Sequence, residues 1–232
     1  MTLEVRQFNF SSYPAHLKYL HNYSWKIAIC LKTMLEFDAI YYFDTSVTPL
    51  YDEEEQHYKS LAATVNDQMN KFKECYLFTL QPAGHTMNWA TCSTMYDYIE
   101  PMNQTIWSPG RGWTSRREHK MEQAGGSAWL IRDKKCVMGL FLPLYLCAME
   151  QSCIHPPQTQ PSLRCNEKHL EEEPCLSACH RYDQSLTNLV VGNYYNFDKR
   201  RYTLVGRLNE KYNALNKISW KPEDAVFTHR SG

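Results

Sequence analysis

Hydrophobic and polar positions along this chain separate short apolar runs from longer helical stripes. From Glu4 to Phe10 the order Glu-Val-Arg-Gln-Phe-Asn-Phe alternates with period two, predicting a short strand that enters a loop at Ser11-Ser12-Tyr13-Pro14. From Trp25 to Phe37 the apolar residues Trp25, Ile27, Ile29, Leu31, Met34 and Leu35 predict a largely buried helix. Ala39-Ile40-Tyr41-Tyr42-Phe43 follows as a continuous β-rich run, the pattern of a strand buried on both faces of a parallel sheet, and stops at Asp44-Thr45-Ser46. Asp52 to Phe72 opens with an acidic turn suited to a helix N-terminus and continues with Leu61, Val65 and Met69 at spacing four.

Beyond these, Cys75 to Leu80 predicts a strand, Pro82-Ala83-Gly84-His85 a loop, and Thr94 to Ile99 a short helix. Trp107 to Glu122, rich in Gly, Pro and charge, predicts a loop. Gly125-Gly126 introduces a strand at Ser127-Ala128-Trp129-Leu130-Ile131, after which Asp133 is placed to cap an apolar helix. Residues 150 to 178 form a Cys/Pro/Glu-rich insertion, Arg181 to Tyr195 returns to helix, and Tyr202 to Leu208 and Ala225 to Thr228 predict late strands. Strands alternating with helices define an α/β class, and the absence of a composition break argues for one domain over residues 1–232.

Lys+Arg and Asp+Glu each number 25, so there is no basic excess to attract nucleic acid or an anionic membrane. No run reaches the ~20 apolar residues of a membrane span, since Cys136 to Met149 is interrupted by Pro143. Met1 to Phe10 shows no signal-peptide pattern. Export is nevertheless suggested by the nine cysteines, five of them (Cys147, Cys153, Cys165, Cys175, Cys179) grouped in a Pro-rich stretch as in disulfide-stapled loops. Asn9-Phe10-Ser11, Asn22-Tyr23-Ser24 and Asn103-Gln104-Thr105 add three N-glycosylation patterns.

Asp44 stands at the carboxyl end of a predicted strand, where open α/β sheets bind ligands, and a carboxylate there can hold a divalent cation that also binds phosphate oxygens. Its simpler role is to start a turn. Cys165, Cys175, Cys179 and His180 offer zinc-type donors, but without a short Cys-x-x-Cys knuckle; disulfides, such as Cys153 with Cys165 or Cys175, are the competing reading. Trp107, Trp113 and Trp129 are candidates either for stacking on sugar rings or for core anchors. No local nucleophile signature supports a Cys-His hydrolase.

Trp25-Lys26, a helix, and then Ala39 to Ser46 resemble the glycosyltransferase segment in which a basic helix residue precedes a strand ending in Asp-x-Asp. Gly125-Gly126-Ser127-Ala128-Trp129-Leu130-Ile131 is similar to the Asn-x-Gly strand of such enzymes, and Asp183-Gln184-Ser185-Leu186-Thr187-Asn188 to their Asp-Gln helix start. The order is that of glycogenin-like, GT-A-fold transferases. Arg6 to Pro14, Asn22 to Lys26 and Cys179 to Ser185 also resemble a nematode-type domain family of unknown function, whose members look like type II membrane proteins related to glycosyltransferases.

The resemblance implies a single GT-A-like domain, a mixed sheet flanked by helices, with the insertion at 150–178 and without part of the N-terminal base-binding unit. It implies sugar transfer from a nucleotide-sugar donor to a glycan or glycoprotein acceptor in the Golgi lumen or secretory pathway, from a membrane-anchored parent. Asp44 would ligate metal or diphosphate, and Lys26, Ser46, Gly125 and Gly126 would line the donor site. Asp183 and Gln184 would bind the sugar or stabilise its oxocarbenium charge; helix N-capping is their simpler role. His229 resembles the late metal-binding His, which with Asp44 would suit Mn2+; an ordinary surface histidine is its simpler role. Ser46 stands where the motif has a second Asp, weakening that cation site. The second expectation is an inactive relative that binds glycans or proteins through the same crevice.

Overall fold

The computed structural model describes residues 4–37, 39–43, 77–86, 91–92, 94–99, 122–131, 137–157, 159 and 180–195. Three 3-10 turns, Phe10–Ser12, Ala15–Lys18 and Leu20–Asn22, lead into helix α1, Ser24–Met34. Strand β1 is Ala39–Phe43, β2 is Leu77–Thr86 and β3 is Glu122–Ile131, with the short helix α2 at residues 94–99. A π-helical turn, Val137–Phe141, runs into α3, Leu142–Met149; α4 is Gln151–Ile154 and α5 is Asp183–Tyr194.

Among the described residues β3 lies between β1 and β2 and is antiparallel to both, with Ala39 opposite Ile131 and Phe43 opposite Ser127. The neighbour expected for β1 was parallel. Continuous apolarity reports burial of both faces and carries no information on strand direction. Both strand pairings among the described residues are antiparallel.

Other boundaries also differ from expectation. Glu4 to Asn9 forms no strand: the Asn9 side chain instead caps the turn at Phe10–Ser12, and Phe8 stacks on Tyr13 and meets Phe10 edge-on, both at 4.8 Å. Alternation alone makes no ladder without a partner strand. Pro82 to His85, expected as a loop, lies inside β2, and register shifts between Thr79 and Gln81 and between Pro82 and Thr86 accommodate the missing proline N–H. Gly125 and Gly126 likewise lie within β3 instead of before it. Pro143 sits at the junction of the π turn and α3, where it has no N–H for the preceding turn, and the widened hydrogen bonding falls on its N-terminal side.

The core is where the helices meet. Ile27, Cys30 and Met34 of α1, Leu140 and Leu144 around the π turn, and Leu186, Leu189 and Val190 of α5 are buried together, with Met95 and Ile99 of α2 fully enclosed. Ile40 and Tyr42 of β1 pack against this cluster. Cys147 and Cys153 form a disulfide from the end of α3 to α4. That pairing replaces the Cys153–Cys165 and Cys153–Cys175 alternatives. Cys92 is also disulfide-bonded.

Candidate functional site

The beginnings of α1 and α5 come together, and each is entered through a tyrosine in left-handed backbone. Tyr23 precedes α1 at φ 55° and Tyr182 precedes α5 at φ 46° and ψ −111°; they are the positive-φ non-glycine residues of the described chain. A bulky side chain in such a conformation costs about 1–3 kcal/mol and persists only where its surroundings hold it. Their rings lie 6.4 Å apart.

Local hydrogen bonding explains both turns. Before α1, the Asn22 carboxamide oxygen accepts from the Ser24 amide at 3.1 Å and the Ser24 hydroxyl at 2.7 Å, while its nitrogen donates to the His16 carbonyl at 3.0 Å. His16 reaches across to the Ala148 carbonyl at 2.9 Å, fastening the turn to α3. Before α5, Tyr182 is 1% exposed, and its ring stands edge-on to His155 at 5.2 Å and His180 at 5.1 Å. Burial raises its phenol pKa. The Arg181 amide donates to the Ser185 hydroxyl at 3.0 Å, which ties the strained turn to the helix that follows.

Between the two helix starts lies an ion pair. Lys26 Nζ stands 3.5 Å from Asp183 Oδ2 and 4.2 Å from the centroid of the Tyr23 ring. The Lys26 side chain is 8% exposed and that of Asp183 is 21%. Lys26 occupies the first turn of α1, where the helix dipole disfavours a cation; the carboxylate and the tyrosine face offset this. Asp183 is favoured by the dipole at the start of α5, worth about 0.3–1 kcal/mol. The capping position itself is held by Tyr182, so Asp183 lies inside the first turn.

Three groups complete the surroundings. Cys30, one turn beyond Lys26, is a buried free thiol pushed up to about 12, by burial first and then by the Asp183 charge, so it stays protonated in the folded protein. Gln184 Nε2 and Arg181 Nε are buried without a hydrogen-bond partner. An unsatisfied buried N–H costs about 1–3 kcal/mol, which a ligand oxygen would recover. Burial also lowers the Arg181 pKa.

Of the residues singled out from sequence, Lys26 and Asp183 are brought into contact, Gln184 adjoins them, and Gly125 and Gly126 lie in the β3 backbone, Gly125 opposite Gln81. Asp44, Ser46 and His229 lie outside the described residues. Sequence reasoning missed Tyr23, Tyr182 and Arg181. It also weighed His180 as a zinc donor, whereas both its ring nitrogens are engaged: Nδ1 accepts from the Cys92 amide at 3.1 Å and Nε2 donates to the Ile154 carbonyl at 3.1 Å. Its pKa is lowered to about 4, chiefly by burial. His180 is thus a neutral strut between α2, α4 and α5.

Among the described residues no group of three His, Cys, Asp or Glu side chains is arranged to hold a metal ion. The Lys26 ammonium stands beside Asp183 Oδ2 at 3.5 Å. No described helix is long and apolar enough to cross a membrane. Compared with family models, curated proteins and solved structures, the chain matches none.

Proposed function

We propose that this chain is a glycosyltransferase-like domain of the secretory pathway, moving a sugar from a nucleotide-diphosphate donor to a glycan or glycoprotein acceptor, with the α1–α5 junction as its sugar-binding side. The observation that carries this reading is the Lys26–Asp183 pair beside the unpartnered Gln184 amide. A sugar presents hydroxyls that donate and accept within one ring. Asp183 supplies an acceptor and Gln184 a donor at adjacent positions, and both are fixed on one rigid helix.

In the reaction the acceptor oxygen bonds to the anomeric carbon as the bond to the diphosphate breaks, and the acceptor's proton leaves to a base. Asp183 would steady the positive charge that develops on the sugar, its own orientation set by Lys26. Asp44 and His229 are the residues that would hold Mn2+, whose charge would offset that of the donor diphosphate. The disulfide of Cys147 with Cys153 supports an oxidising compartment, and the family resemblance a membrane-anchored parent.

Release of nucleoside diphosphate from a panel of nucleotide sugars with Mn2+ tests the proposal. Asp183→Asn is expected to lower kcat by about 10²–10³-fold with little change in KM, the signature of lost transition-state stabilisation. Absence of both nucleotide-sugar binding and turnover in the wild-type chain would sink the enzyme reading. Glycan binding under those conditions would establish the alternative, an inactive binding module.

A further inference from the structure

The Asn-x-Ser pattern occurs twice near the amino terminus with one local geometry and two opposite environments. At Asn9 the carboxamide oxygen accepts from the Ser11 amide at 3.1 Å and the Ser11 hydroxyl at 2.7 Å; at Asn22 the corresponding bonds from Ser24 have the same lengths. The amide nitrogens differ. Asn9 and Ser11 are exposed, and Asn9 Nδ2 donates only to the exposed Ser12 hydroxyl, at 3.2 Å. Asn22 is 1% exposed, and its Nδ2 donates to the backbone carbonyl of the buried His16.

We propose that Asn9 carries an N-linked glycan and that Asn22 of the folded protein does not. This rests on the secretory-pathway reading above. In the transfer, Asn9 Nδ2 bonds to the anomeric carbon of a lipid-linked oligosaccharide. The bond from that carbon to the lipid diphosphate breaks, the diphosphate departs, and the amide proton goes to the host transferase. The host enzyme meets the chain before it folds, so it does not itself distinguish the two patterns. Folding does: a glycan on Asn22 would remove one of the N–H groups of a buried amide and has no path to solvent. Chains modified there cannot close the turn before α1. A glycan on Asn9 leaves every bond of its turn from Ser11 in place.

The test is to express the full chain behind a supplied signal peptide in cultured eukaryotic cells and to map occupancy on the secreted protein by enzymatic deglycosylation in heavy-oxygen water. The expected result is a modified Asn9 and an unmodified Asn22. Asn9→Gln and Ser11→Ala, both on exposed side chains, are expected to abolish that glycan while leaving secretion unchanged. An unmodified Asn9 in secreted wild-type protein, or a glycan on Asn22, overturns the proposal. A second arm maps the protein from its own cells. Asn9 modified with the supplied signal but bare in its natural setting overturns the compartment instead, and with it the natural glycan.

Discussion

A lysine and an aspartate far apart in the chain form one pair, the lysine buried and the aspartate partly so, and its energetics are asymmetric. Removing either partner leaves a charge in a poorly solvated place, at a cost toward or below the lower end of the ~3–5 kcal/mol of a fully buried pair, whereas removing both costs much less. Lys26→Met is therefore expected to lower the urea midpoint strongly, and Lys26→Met with Asp183→Asn to recover most of that loss. An additive double variant would show that the two groups do not interact. His180 adds a pH term. Its pKa falls from 6.5 to about 4 on burial, so between these values the unfolded chain binds the proton first. The corresponding stability is fully present above pH 6.5 and declines by roughly 3 kcal/mol as pH falls to 4. Following the His180 imidazole by NMR checks this: protonation near pH 6.5 in the folded state would contradict it. Sequence placed Lys26 and Asp183 as candidates through motif resemblance. It could not show that they touch, because contact between remote residues is a property of packing. His180 is the reverse case, since a histidine beside cysteines offers itself as a ligand until its ring nitrogens are accounted for.

Among the elements, the helices were the more legible. α1, α2 and α5 begin and end within about three residues of the apolar stripes that predict them, because a buried stripe and helix geometry share one period. The strands were placed with poorer boundaries. Pro82 and the two glycines of β3 are ordinary loop signals, and only the observed bulges reconcile them with a ladder. The turn before α1 was invisible in the pattern, yet Asn22 governs it. Asn22→Ala removes the acceptor for Ser24 and the donor to His16, and is expected to cost about 1–2 kcal/mol in chemical unfolding. The disulfide between α3 and α4 spans a sequence separation of 6, and closing so short a loop stabilises by about 2 kcal/mol. Cys147→Ser with Cys153→Ser should lower the thermal midpoint accordingly, and no change would show that the packing of α4 suffices without it.

On the scale of the molecule, the helices form one cluster over the described sheet, with β1 and β3 both in contact with α1. The site sits where that cluster opens at two helix starts, so its geometry is inherited from the core and needs no long loop to hold it. One member of the core has a kinetic meaning. Cys30 is a thiol with no disulfide partner in a chain of nine cysteines, enclosed beneath the Lys26–Asp183 pair and kept protonated by burial. While the chain is unfolded this sulfur can attack any disulfide; once α1 and α5 meet, it is withdrawn from exchange. Closure of the helix pair thus acts as a latch that takes this one thiol out of cysteine reshuffling. After folding, the rate at which a thiol reagent labels Cys30 times the spontaneous parting of α1 from α5. Lys26→Met should accelerate that labelling.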